Sequence, residues 1–282
     1  MNTTRNFFLA TALLLLLGSC SLAGMAYNKA PYFVASELED AFDLDQAQLD
    51  QLDSRLQQFF AWHREEELTR YREFLERAAV ATADGITAAE FLSLQKNITD
   101  ARDRSLEKAI DSLGDLAVSL TPQQIESYEQ YHREGSEEFL DYLEKSAQQR
   151  EIYRVERAYS RLESWFGDFD YFLEQKINAR LRTVPDIYQP WFEFREQRHQ
   201  ALVRALRDNT GKTVDRQRLK AVMLDPDTDY ARAFEPVRQA YWREYAAAVE
   251  EISSWLSDRH RQHAVTRLQK YAGIVDSLAG QG

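Results

Sequence analysis

The sequence predicts an all-α protein, an array or bundle of long antiparallel helices. Glycine and proline are scarce, with 10 and 6 in 282 residues, so the chain has few places to break. No hairpin dipeptide stands between alternating apolar runs, whereas apolar residues recur at steps of three and four nearly throughout. Three helix starts are also spelled out in full. "LDQAQL" supplies Asp45 and Gln48 between Leu44 and Leu49, "ITAAEF" supplies Thr87 and Glu90 between Ile86 and Phe91, and "LTPQQI" supplies Thr121 and Gln124 between Leu120 and Ile125. Each is a capping box closed by a hydrophobic staple, and Pro122 falls at the first helical position, where its missing N–H costs nothing.

The elements follow in order. "MNTTRN" is polar and carries Arg5, and Phe7 to Leu17 is an uncharged apolar run of 11 residues. That run is too short for a bilayer, which takes about 20 apolar residues, and its basic start and small-residue end fit an export signal. "LGSC", Leu17 to Cys20, is similar to the lipobox of bacterial lipoproteins. The resemblance implies cleavage between Ser19 and Cys20, a diacylglyceryl thioether on Cys20 and acylation (palmitate) of the new amine. Residues 1–19 are thus expected to be a signal peptide, and 20–30 a lipidated tether reaching ~30 Å if extended. Ser21, not Asp, follows the cysteine, which by resemblance to the usual sorting rule favours the outer membrane. Cys20 is the only cysteine, so thiol catalysis and disulfides are excluded once it is acylated.

Residues 31–282 read as a single helical domain, with a loose lobe boundary near Ser146 as the alternative. Helices are expected at 31–42, 45–82, 88–118, 122–145, 147–166, 169–182, 188–208, 214–223, 229–257 and 258–278. Ser146 with Gln149 gives a fourth capping box. Ile125, Tyr128, His132, Gly135, Phe139 and Tyr142 share one face. So do Phe234, Val237, Tyr241, Tyr245, Ala248, Ile252 and Trp255, and both faces are expected to be buried.

A net charge of −11 with no Lys/Arg block argues against nucleic acid or anionic surfaces as partners. No Gly-rich phosphate loop, Gly-x-Ser-x-Gly elbow or His-Glu-x-x-His helix occurs. "WHREEELTRY" is the most suggestive segment. His63 and Glu67 are i,i+4 neighbours, and Glu66 pairs similarly with Arg70. His63, Glu66 and Glu67 therefore form a candidate polar cluster, able to handle a metal or a proton if it opens to solvent, but by default a half-buried register lock. His260 and His263 in "HRQH" face one way but lack a third zinc ligand. "DPDTDYARAFEP" opens like a calcium loop with Asp225, Asp227 and Asp229, then fails at Tyr230 and Pro236 and reads as a capped helix start at Asp227 or Thr228. No metal and no cofactor are expected. Aromatic residues mix with charge in "FGDFDYFLEQ", "IYQPWFEFREQRH" and "YWREYAAAVEEISSWL", as core or as a groove for a partner.

"AYNKAPYFVASELEDAFDLDQAQLDQL" with "FFAWHREEELTRYREFLERA" resembles a family of uncharacterised proteobacterial lipoproteins, a domain of unknown function. The shared features are Tyr27-Asn28 soon after the cysteine and Trp62-His63-Arg64 on a long helix. "SLTPQQIESYEQY" and "WLSDRHRQHAVTRLQKY" match the later helix starts. Thr69 stands where members usually carry proline, which predicts a straighter long helix here. The resemblance implies an all-helical envelope lipoprotein without an established activity, so Cys20 alone carries over as a functional residue. "LTPQQ" also looks like the Leu-Thr-x-x-Gln motif of small periplasmic stress chaperones, although the motif is equally a capping box with its staple. The expected function is a non-enzymatic, membrane-anchored protein-binding scaffold or accessory factor facing the periplasm. The alternatives are a chaperone-like client binder and a metal- or proton-handling enzyme centred on His63.

Overall fold

A computed structural model describes residues 20–209 and 214–280. The expected signal peptide, including Ser19, lies outside the described residues. The described chain is helical with no strand. Its elements are α1 (Cys20–Asn28), α2 (Ala30–Phe42), α3 (Gln46–Trp62), a π-helical turn (His63–Glu67), α4 (Leu68–Ala83), α5 (Ala88–Leu113), α6 (Leu116–Ser119), α7 (Pro122–Glu144), α8 (Ala147–Phe166), α9 (Tyr171–Arg182), α10 (Tyr188–Asn209), α11 (Arg216–Leu224), α12 (Asp229–Trp255) and α13 (Asp258–Ala279).

Three sequence expectations are corrected. The tether expected at 20–30 is helical: α1 runs to Asn28, one residue short of α2, and Tyr27 is buried against Leu68, Ile274 and Leu278. The long helix expected at 45–82 is not a single straight rod. It is interrupted at residues 63–67, where the N–H of Leu68 reaches back five residues to the carbonyl of His63. Lacking proline at 69 therefore did not leave the helix regular; an inserted residue does the interrupting instead. The helix expected to run to 118 ends at Leu113, where Gly114 opens a turn before the four-residue α6.

The four predicted capping boxes are all present, at Asp45, Thr87, Thr121 and Ser146. Two of them meet in space. Gln48 and Gln124, the N3 residues of α3 and α7, are buried face to face. Each amide donates to the other's Oε1, at 3.1 and 2.6 Å. Gln48 also donates to the Ser119 carbonyl and Gln124 to the Asp43 carbonyl, each at 3.0 Å. Both Oε1 atoms meanwhile accept from their own N-cap N–H groups. One amide pair thus ties two helix starts 76 residues apart and satisfies two loop carbonyls. The glutamine of "LTPQQ" has a full structural explanation in this pair. Gln124→Ala leaves the Thr121 cap but removes the reciprocal half of the box, and leaves Gln48 short of a partner in a buried site. We expect it to cost about 2–4 kcal/mol in urea unfolding; a loss no larger than a surface cap would show the pair to be idle.

Apolar packing falls into several clusters along the array. The largest joins α2, α3, α7, α10 and α11 through residues such as Phe42, Leu52, Leu56, Ile125, Val203 and Leu219. A second pairs α4 with α13, where Val265 and Leu268 pack over Ala78 and Ala79, whose small side chains let the two helices approach closely. A third sets Val155, Ile177, Leu181 and Ile252 between α8, α9 and α12. Both predicted faces point inward: Ile125 and Tyr142 on α7, and Phe234, Ala248 and Ile252 on α12, are buried. Val237 is the exception, 38% exposed. At the junction near Ser146, Arg150 bonds back to the carbonyls of Leu143 and Lys145, which fixes the angle between α7 and α8.

Candidate functional site

The π-helical turn holds the candidate cluster. Two consecutive side chains at this turn, Glu67 and Leu68, lie inside the protein, at 0% and 2% exposure. His63 sits one turn earlier and is 5% exposed. Glu66 does not join them. It is exposed and meets Arg70 across 3.5 Å at the surface, which corrects its place in the predicted cluster.

Glu67 is held by two arginines. Arg104, projecting from α5, donates through Nε and Nη2 to the two carboxylate oxygens at 2.8 Å each. Arg70 adds a bond of 2.7 Å to Oε1. Burial alone pushes the carboxyl up, but these bonds and charges outweigh it and hold Glu67 below the ordinary carboxylate value. His63 takes different partners. Its Nδ1 lies 2.9 Å from the Tyr27 hydroxyl and its Nε2 lies 3.3 Å from the Tyr71 hydroxyl. One hydroxyl donates and the other accepts, as a neutral imidazole requires. Burial pulls its pKa down to about 4, against the opposing pull of Glu67. Burial also raises the Tyr27 phenol to about 12 and raises Tyr71. None of these four groups changes charge near neutral pH, so the cluster is poorly poised for general acid–base work.

The same contacts explain two segments read from the sequence. Tyr27-Asn28 and Trp62-His63-Arg64 dock on each other. Tyr27 meets His63, the Arg64 guanidinium lies 5.3 Å from the Tyr27 ring centre, and Arg64 Nη2 donates to the Asn28 side chain at 2.9 Å. Arg104 carried no sequence signal: it is one charge among many on α5, and only the fold brings it opposite Glu67.

The other candidates separate. His260 is buried and serves as the N3 partner of Ser257, a fifth capping box, while His263 Nδ1 lies 2.8 Å from the Trp165 carbonyl. Asp225 accepts from the Asp227 N–H in a tight turn, and Thr228 caps α12, one of the two positions expected. Among the described residues, no three His, Cys, Asp or Glu side chains are grouped so as to hold a metal ion. No described helix is long and apolar enough to cross a membrane.

Sequence reading missed a second, half-buried polar seam, between α7 and α10. The rings of His132 and His199 stack with centroids 3.6 Å apart and planes within 6°. His132 Nε2 lies 2.7 Å from Glu196 Oε1, whereas the buried Nδ1 of His199 has no hydrogen-bond partner. Burial, then the neighbouring His132, lowers the His199 pKa to about 4. Arg195 and Arg198 flank the seam over Trp191 and Phe194, and burial lowers both guanidinium pKa values. His132 had been placed on the apolar face of α7, and the seven-residue return from Phe192 to His199 on α10 was the only available hint of its partner.

Of the aromatic clusters, most members pack inside. Phe169 lies against the α8–α9 core, and Phe91 on α5 meets Trp242 and Tyr245. Tyr171 and Phe172 are the outliers, 67% and 83% exposed at the start of α9.

No curated protein and no solved structure matches the chain. A family model does match, over residues 40–234, a stretch that includes the π-helical turn, Arg104 and the histidine seam. With more than half of its length matched, the chain belongs to a family of unknown function (DUF6279).

Proposed function

We propose that the protein is an envelope lipoprotein, anchored through an acylated Cys20 in the outer membrane and facing the periplasm, that binds another protein as a scaffold or accessory factor. The anchor is supported by the charged start, the short apolar run and "LGSC", in which Cys20 is the only thiol of the chain. A diacylglyceryl group with a further acyl chain holds a protein far more firmly than the marginal binding of one chain. A non-enzymatic role is supported by the closed state of the His63 cluster, whose polar atoms are taken by Tyr27, Tyr71, Arg70 and Arg104.

The observation that carries the protein-binding part is the Tyr171–Phe172 pair. Two adjacent aromatic side chains stand in solvent at a helix start, with ring centres 5.8 Å apart. Aromatic side chains of this kind supply the anchors of many protein interfaces. The test has two arms in one strain background. Labelled palmitate is expected on wild type and not on Cys20→Ala; equal labelling of both would sink the anchor. Cross-linking in the envelope, followed by capture of the anchored chain, is expected to recover one partner reproducibly, and Phe172→Ser is expected to reduce that recovery severalfold. Recovery that ignores the substitution counts against this surface.

A further inference from the structure

A second exposed apolar face lies close to the acylation site. α1 and α2 are nearly one helix: the Lys29 N–H donates to the Met25 carbonyl at 3.0 Å and the Phe33 N–H to the Lys29 carbonyl at 3.1 Å. At helical spacing, Met25, Lys29, Tyr32 and Phe33 fall within a stripe about 100° wide. The opposite side carries Tyr27, Val34, Leu38, Ala41 and Phe42, which pack into the body of the protein. The stripe faces away from that body. Met25 is 56% exposed, Tyr32 68% and Phe33 59%, with the Tyr32 and Phe33 rings edge to face.

Charge distribution narrows what covers this face. In a chain with 46 acidic residues, none occurs before Glu37, and Glu37 itself accepts from the Tyr131 hydroxyl. The stripe's one charged residue is Lys29, exposed among the apolar side chains. An aromatic surface free of acids and bearing a single cation suits the boundary between headgroups and acyl chains. There a tyrosine can keep its hydroxyl in water, and a lysine can extend its ammonium to phosphate. The distance fits as well: thirteen residues separate Cys20 from Phe33, about 20 Å along a helix, so both ends reach one surface only if the helix lies along it.

We infer that the Met25–Tyr32–Phe33 face of α1–α2 lies in the headgroup layer of the membrane that holds the acylated Cys20, with Lys29 directed to the lipid phosphates. The inference rests on the reading of Cys20 as acylated. It turns a flexible leash into an oriented mount, which holds α13 and α4 behind the docked helix.

The single native cysteine makes a direct test possible. Full-length Phe33→Cys, purified from membranes, offers one free thiol for a nitroxide label, because acylation consumes the sulfur of Cys20. Phe172→Cys, on α9, serves as the water-exposed reference. Both are reconstituted into vesicles of phosphatidylethanolamine doped with phosphatidylglycerol, and label accessibility to oxygen is compared with accessibility to a water-soluble nickel complex. The oxygen-to-nickel ratio is expected to be severalfold higher at 33 than at 172. An aqueous label at 33, in protein whose mass shows the acyl chains, overturns the docking and leaves the anchor standing. Protein without acyl chains overturns the anchor and the docking with it. Spin–spin broadening at 33 assigns the face to a second copy, and lipid contact at both positions denies this face a special role; either result overturns the inference.

Discussion

Glu67→Ala is expected to destabilise the protein by about 3–5 kcal/mol, the range typical of breaking a buried ion pair. The carboxylate is fully buried, and it is the shared acceptor of Arg104 and Arg70. Alanine would leave a cavity at the π-helical turn, take the bidentate acceptor from Arg104 and leave Arg70 only its longer contact with Glu66. The arginines retain partial access to water, with side-chain exposures of 36% and 46%, so their own loss is softened by solvation. Arg104→Ala should therefore cost less than Glu67→Ala, because Arg70 still compensates the buried charge. Glu67→Gln keeps the shape and part of the hydrogen bonding and should fall between wild type and alanine. Urea unfolding of the four proteins gives the order directly, and a Glu67/Arg104 double-mutant cycle gives the coupling. A Glu67→Ala loss below about 1 kcal/mol would show that the turn does not depend on this carboxylate.

That order also bears on function. If the cluster only fixes helix register, His63 and Glu67 variants lose partner binding in proportion to the folded protein lost. Partner binding that collapses in a folded Glu67→Gln protein would move the cluster from support to recognition.

The helix starts were legible because their chemistry is local. Asp45, Thr87, Thr121 and Ser146 each act on residues within one turn, so spacing alone identifies them. Residues 147–166 were bounded correctly for the same reason, with Ser146 before and Gly167, at φ 81°, after. The π-helical turn was not legible. His63 and Glu67 have the same spacing in a regular helix, and the extra residue is favoured by what lies across from it: Tyr27 from α1, Tyr71 one turn on, and Arg104 from α5. The capping role of His260 was missed because histidine is not a usual N3 partner, though its ring nitrogen accepts as a Gln oxygen does. Reading 20–30 as a tether failed because its apolar residues are few. Their burial depends on a groove supplied by α13, some 240 residues later in the chain.

Acidification is expected to start destabilising the protein before ordinary carboxylates titrate, and histidine is the cause. His63 and His199 both have folded pKa values near 4, against an ordinary value of 6.5. The folded protein therefore holds both rings neutral, while the unfolded chain protonates them as pH drops through 6.5. Stability contributed in this way is complete above that value, declines as pH falls from 6.5 towards 4, and is lost below it. For the buried His63 a depression of this size corresponds to roughly 3 kcal/mol, and for the half-buried His199 solvent screening leaves less. Glu67 adds a second, lower limb: its folded pKa lies below the ordinary value, so its contribution survives above that value and disappears as pH falls through the folded one. The two histidines can be separated by one substitution. His199 already carries an orphaned buried nitrogen, and a proton on its ring would face His132, Arg195 and Arg133 with Glu196 as the opposing charge. His199→Phe keeps an aromatic ring against His132, removes the orphaned nitrogen and should leave stability at pH 7 unchanged or slightly raised. It should also remove part of the decline between pH 6.5 and 4, while leaving the Glu67 limb in place. Thermal unfolding of wild type and His199→Phe across this range checks both statements. Superimposable curves would locate the acid sensitivity outside the α7–α10 seam and leave His63, sealed between two tyrosines, to account for it.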